Sequence, residues 1–256
     1  MDTRLEAFGR LLKIMDELRA QCPWDKAQTF ETLRHLTIEE VYELGDSILE
    51  GDSDEMRKEL GDILLHIVFY SKIASETSLF DITDVINQVC DKLIHRHPHI
   101  YGDIKVSNAE EVSQNWEQLK LKEGKKSVLE GVPVSLPSLI KAMRIQEKAR
   151  SAGFDWEQRS QVLDKVEEEL QELKEELQGG VPGRIRAEFG DLLFSLVNLS
   201  RFIDVNPDEA LEQTNRKFIS RFKFLEAKAS AAGKKLKDMS LSEMDVFWDE
   251  AKKQGL

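Results

Sequence analysis

The chain repeats itself. EEVYEL at residues 39–44 returns as EELQEL at 168–173, and KELGDILLHIVFYSKIA at 58–74 returns as AEFGDLLFSLVNLSRFI at 187–203. Glu40 and Glu169, Glu43 and Glu172, Glu59 and Glu188, and Asp62 and Asp191 are each 129 residues apart. A fixed offset over this distance means one structural unit used twice, so whatever one copy folds into must serve the other. The unit is helical. Leu60, Ile63, Leu64, Ile67 and Val68 follow the i, i+3, i+4, i+7, i+8 stripe of a core-facing helix, and Ile38, Val41, Gly45, Ile48 and Leu49 line one face of another. Asp52-Ser53-Asp54, Pro98 and Pro207-Asp208-Glu209 punctuate helices, and no run alternates as a strand would. With 41% hydrophobic residues the chain has the apolar material for a packed core. The expectation is an all-α protein of two tandem units, residues 1–122 and 138–256. They are joined by a linker over 123–137, where prolines, glycines and serines break the pattern.

Packing explains why duplicated units keep their apolar positions; it does not explain why they keep charged ones. At about 100° per residue, Glu39 and Glu43 lie about 40° apart on a helix. Glu59 and Asp62 share a face of the next helix, and Glu168, Glu169, Glu172, Glu188 and Asp191 repeat the arrangement. Fifteen or so intervening residues let the two helices run antiparallel, so the carboxylates face each other. Groups that close repel unless a cation sits among them, and oxygen-only donors select Mg²⁺, Mn²⁺ or Ca²⁺. Four carboxylates per unit suggest more than one ion. A di-iron bundle needs Glu-x-x-His, and both copies place Asp62 and Asp191 where that histidine would stand. Gly61 and Gly190, within strong helical patterns, mark either tight helix packing or the close approach of a ligand.

The pattern E-E-x-x-E followed by E-x-x-D resembles the signature of the all-α nucleoside triphosphate pyrophosphohydrolases. CPWDKAQTFETLRHLTIEEVYEL, ELGDILLHIVFYSKIA and HRHPHIYGD are similar to the MazG branch over nearly the whole chain, tandem arrangement included. The resemblance implies Mg²⁺-dependent hydrolysis of NTPs (ATP among them) and dNTPs, of broad specificity, to the monophosphate and pyrophosphate, with Mn²⁺ as an alternative ion. It also implies a homodimer whose four-helix-bundle-type active units are completed by the partner. Carried over, the metal ligands fall on Glu169, Glu172, Glu188 and Asp191, with Glu168 beside them to orient or deprotonate water. The triphosphate anchors fall on Lys217 and Arg221 and the base-contacting tryptophan on Trp248, with Lys252 one turn further on. Members of this family differ in whether both copies work; in well-studied MazG proteins the second is the competent one, which favours it here. The first nevertheless retains Glu39, Glu40, Glu43, Glu59, Asp62, Lys92, Arg96, Trp116 and Lys120 as a second candidate site. Two other readings compete: a narrow-substrate dUTP or dCTP pyrophosphatase, and a non-catalytic metal-binding helical regulatory dimer.

Other residues are assigned more modest roles. His95, His97 and His99 are interrupted by Pro98 and have no counterparts in the second copy, so they read as structural. Trp24 and Trp156 read as core or lid packing, Asn198 and Asn215 as polar contacts to the nucleotide, and Arg184 and Arg186 as near the phosphates or offsetting acids. A net charge of −12 disfavours nucleic-acid polymers and anionic membranes as partners. No apolar run reaches the length of a membrane helix, and Cys22 and Cys90 form no CxxC pair. A cytoplasmic protein is expected.

Overall fold

The computed structural model describes residues 2–108, 111–112, 115–116, 119 and 127–256. Lys120 and residues 123–126 of the expected linker lie outside them. The described residues are helical, with no strand among them, and none of their helices is long and apolar enough to cross a membrane. The chain divides into two compact units, Met1–Ser107 and Asn108–Leu256. The stretch from Ser127 to Pro137 is fastened into the second unit, where Lys148 Nζ donates to the Val128 carbonyl at 2.9 Å and Lys141 Nζ to the Val134 carbonyl at 2.5 Å.

The first unit contains α1 (Thr3–Gln21), α2 (Pro23–Ala27), α3 (Phe30–Glu50), α4 (Ser53–Glu76), α5 (Ile82–Arg96) and α6 (Pro98–Tyr101). Its centre is the α3–α4 hairpin. Thr29 and Thr32 form a reciprocal capping box that starts α3. Gly51 ends it at φ 69°, a left-handed conformation that costs glycine little, and Asp52 caps α4 by accepting from Asp54 N and Glu55 N. Two residues therefore reverse the chain. α1 closes one side, and Met15, Leu33, Val68, Phe69 and Ile73 form the core with Leu36, Leu65 and Tyr70 packed against it.

The second unit contains α7 (Ser138–Ser151), α8 (Arg159–Leu177), α9 (Pro182–Phe202), α10 (Pro207–Ala231), a 3-10 turn at Leu236–Asp238 and α11 (Leu241–Lys253). α8 and α9 form the counterpart hairpin, covered by α7, while α10 pairs with α11. The turn between α8 and α9 needs Gly180, since a Cβ there would meet Glu176 backbone atoms within 3 Å. Val162, Leu173, Val197, Leu225, Ala229, Met239 and Ala251 are its buried apolar residues among those described.

The expectation of a uniformly core-facing stripe is corrected in part. Val68 is 2% exposed, but Leu60, Leu64 and Ile67 are 51%, 40% and 42% exposed. Ile38, Val41 and Ile48 on α3 and Phe189, Leu193 and Leu196 on α9 are exposed as well. A helical hairpin covered on one side by a third helix buries only the edge of the stripe nearest that helix. The rest faces outward in a single chain. Gly61 and Gly190 stand beside these residues with no atom of the chain within 4 Å of an added Cβ, so tight packing within the chain does not account for them.

Candidate active site

Each hairpin brings three carboxylates together. Oxygens of Glu40, Glu43 and Glu59 lie within 4.8 Å of one another, and so do those of Glu169, Glu172 and Glu188. Among the described residues these are the only groups of three possible metal ligands so placed. His95, His97 and His99 form no such group; the rings of His97 and His99 sit 5.5 Å apart and His97 Nδ1 lies 2.6 Å from the Leu93 carbonyl. Glu39, Glu168, Asp62 and Asp191 are outside the triads, although Asp191 lines the same cavity as Glu169.

The two triads differ in what balances them. Glu59 is 5% exposed, and its Oε2 is buried without a hydrogen-bond partner. Burial, then the charges of Glu43 and Glu40, push its pKa up to about 7. In the second unit Lys165, one turn before Glu169, donates to Glu168 Oε1 at 2.8 Å and lies 2.7 Å from Glu169 Oε1. These hydrogen bonds hold the ammonium well above its ordinary pKa. Glu172 is shifted upward by lost hydration and by its neighbours Glu169 and Glu188. A donor set made only of oxygens, with one buried oxygen left unpaired, fits a hard divalent cation.

A cavity of about 590 Å³ opens beside the second triad. Glu169, Asp191 and Lys165 form its acidic-basic end, and Phe154, Trp156 and Phe194 supply aromatic walls. Asn198 and Arg201 line it too; the guanidinium donates to Asn198 Oδ1 at 2.8 Å and to Asp155 Oδ1 at 2.5 Å. Trp156 is thus a cavity wall and Trp24 is 56% exposed, so neither is a core residue. Lys165, Arg201 and Gln146 were missed by motif reasoning. For Lys165 a signal was present, because it sits 129 residues after Leu36, and Asn198 likewise follows Phe69. At these two positions the copies diverge from apolar to polar, and both residues line the cavity.

The remaining candidates lie elsewhere. Lys217 and Arg221 are on α10, Trp248 and Lys252 on α11, and none of them lines the cavity of a single chain. Trp248 packs on Phe218 at 5.1 Å between ring centroids, with the Arg221 guanidinium 6.0 Å from its ring. Arg221 Nε also donates to the Leu256 carbonyl at 2.7 Å, and Lys252 pairs with Asp249 at 3.1 Å. Lys92 is exposed and Arg96 half-buried near the end of α5, and Trp116 is half-buried. Arg184 lies 3.7 Å from Glu176, Arg186 is exposed, and Asn215 donates to Glu212 at 3.2 Å.

Residues 28–101 and 157–224 each match the MazG nucleotide pyrophosphohydrolase domain, and the two matches contain the two triads. The chain belongs to the MazG family. It is 44% identical over 250 residues to the nucleoside triphosphate pyrophosphohydrolase/pyrophosphatase MazG of Thermotoga maritima, covering 96% of this chain and 95% of that one. It is 41% identical over 261 residues to the nucleoside triphosphate pyrophosphohydrolase of Escherichia coli K12, covering 98% and 99%. The same similarity extends to YabN of Bacillus subtilis, 44% identical over 252 residues that make up 51% of that protein. This MazG chain is accordingly a hydrolase, and its tandem helical hairpins are two MazG domains.

Proposed function

We propose that the protein hydrolyses nucleoside triphosphates, NTPs and dNTPs alike, to monophosphate and pyrophosphate with Mg²⁺ in the second unit. The observation that carries this reading is the cavity beside Glu169 and Asp191, large enough for a nucleoside and continuous with the carboxylates. Its aromatic walls, Phe154, Trp156 and Phe194, suit any base, because stacking on an aromatic face is sequence-tolerant and worth about 1–3 kcal/mol. That favours broad specificity over a narrow dUTP or dCTP preference.

Glu169, Glu172, Glu188 and Asp191 would hold Mg²⁺, with Mn²⁺ as substitute. When bound, the ion supplies the positive charge that offsets the triphosphate and stabilises departing pyrophosphate. Glu168 is exposed beside the triad and takes the proton of the attacking water. The new bond joins that water oxygen to the α-phosphorus, and the bond to the bridging oxygen breaks. Lys217 and Arg221, one turn apart on α10, grip the outer phosphates. Their position outside the cavity of one chain, and the exposed apolar faces of α3, α4 and α9, support a homodimer that completes the unit. Free Cys22 and Cys90 and the negative charge support a cytoplasmic enzyme acting on small nucleotides rather than polymers.

Incubation with each NTP and dNTP plus Mg²⁺ tests the reading. Monophosphate and pyrophosphate are expected, and diphosphate with phosphate would overturn it. Glu172→Gln should cut turnover by about a hundredfold or more; full activity in this variant would move the reaction to the first unit.

A further inference from the structure

We propose that the first unit is a nucleotide-independent divalent-cation clasp between α3 and α4, whereas in the second unit Lys165 keeps the cation's place until a metal–nucleotide complex arrives. The inference rests on reading both carboxylate triads as divalent-cation sites.

The two hairpins offer the same oxygens to a cation but surround them differently. In the first, Glu59 reaches between Glu40 and Glu43 from the opposite helix and is 5% exposed, and its Oε2 has no partner. A buried carboxylate oxygen left without a donor is a costly arrangement that a native protein keeps for a ligand. Among the described residues no lysine or arginine pairs with this triad; nearby Lys58 is engaged by Glu55 at 2.5 Å. Three clustered acids without a cation repel each other across the hairpin, and a divalent ion turns that repulsion into a cross-link.

In the second hairpin a cation is already present. The Lys165 ammonium sits 2.8 and 2.7 Å from Glu168 and Glu169, and no carboxylate oxygen of this triad is buried unpaired among the described residues. A bare metal ion must displace that ammonium. A nucleotide removes the obstacle, because Lys165 lines the cavity and the released ammonium finds an anionic partner in the ligand. Metal and nucleotide therefore enter together.

Leu36 occupies the position in the first unit that corresponds to Lys165, so the built-in cation is missing there. The nucleoside space is filled as well. Phe69 corresponds to Asn198 and is 2% exposed, Leu33 corresponds to Val162, and both pack with Met15 in the core. Buried His66 stands for Ser195. Among the described residues, the first unit keeps the carboxylates and places core side chains at these cavity positions.

Titration of the full-length, nucleotide-free protein with Mn²⁺, read by the electron paramagnetic resonance of the free ion, tests this. One class of tight sites is expected, weakened by at least about tenfold in Glu43→Gln and unchanged in Glu172→Gln. Lys165→Met should add a second tight class that Glu172→Gln removes. Mn²⁺ should also raise the melting temperature of the parent protein and of Glu172→Gln, but not of Glu43→Gln. Glu43 is exposed, so its replacement leaves the core intact; Glu40→Gln is the companion variant and should behave alike. The proposal is overturned by three results: absence of tight nucleotide-free binding, loss of that binding in Glu172→Gln, or a Lys165→Met protein with no added sites. None of these readouts depends on turnover. A protein that binds Mn²⁺ this way yet releases no pyrophosphate would overturn the hydrolysis reading alone.

Discussion

Glu243 shows how far one side chain can be held from its ordinary state at an exposed position. It closes a capping box with Ser240 at the start of α11 and accepts from Lys234 Nζ at 2.6 Å. The Lys234 hydrogen bond, then those from Ser240, lower its pKa to about 2. The folded value lies below the unfolded one, so the contribution to stability is complete above about pH 4.5 and is lost as pH falls toward about 2. Melting temperatures of the parent and of Glu243→Gln should therefore differ at neutral pH and converge across that acidic window. A gap that persisted to pH 2 would count against the ion-pair origin. At this scale the sequence was legible where charge is repeated, as at Glu40, Glu59, Glu169 and Glu188. Lys165 escaped because a lone lysine on an acidic helix reads as an ordinary i, i+4 partner, and only its replacement by Leu36 in the other copy distinguishes it.

At the scale of elements, α5 depends on its ends. None of its residues is buried, and Ile86, Val89, Leu93 and Ile94 are all 39% or more exposed. Little tertiary packing holds the helix, so its start matters: Asp81 accepts from Thr83 N at 2.7 Å and Asp84 N at 3.0 Å, and Asp84 returns a bond to the Asp81 amide. Asp81→Ala is expected to cost about 1 kcal/mol, read as loss of amide protection in α5 by hydrogen exchange. Helix positions followed from caps and period. Which part of each apolar stripe would be covered did not, because period gives a face and not its neighbour. Leu60 and Val68 belong to one stripe, yet α1 covers only the α4 edge that carries Val68.

For the whole molecule, the uncovered edges carry the clearest expectation. Leu64 on α4 and Leu193 on α9 are related by the repeat offset and are 40% and 46% exposed. Replacing either by Glu should shift sedimentation of the proposed homodimer toward the monomer while leaving helical content unchanged; unaltered sedimentation would count against an interface on these edges. The tandem organisation was visible as an offset of 129. The difference between the copies was not, since it lies in cavity-lining residues scattered over α7, α8 and α9 and brought together only by folding. In the proposed homodimer, with each unit pairing with its copy on another chain, the tandem arrangement also changes the arithmetic of assembly. Once one unit has paired with its copy on another chain, the second pairing becomes intramolecular, at an effective concentration on the order of millimolar for a short tether. Two individually weak contacts then act as one strong one, and a chain divided between its units should associate far more weakly than the intact protein.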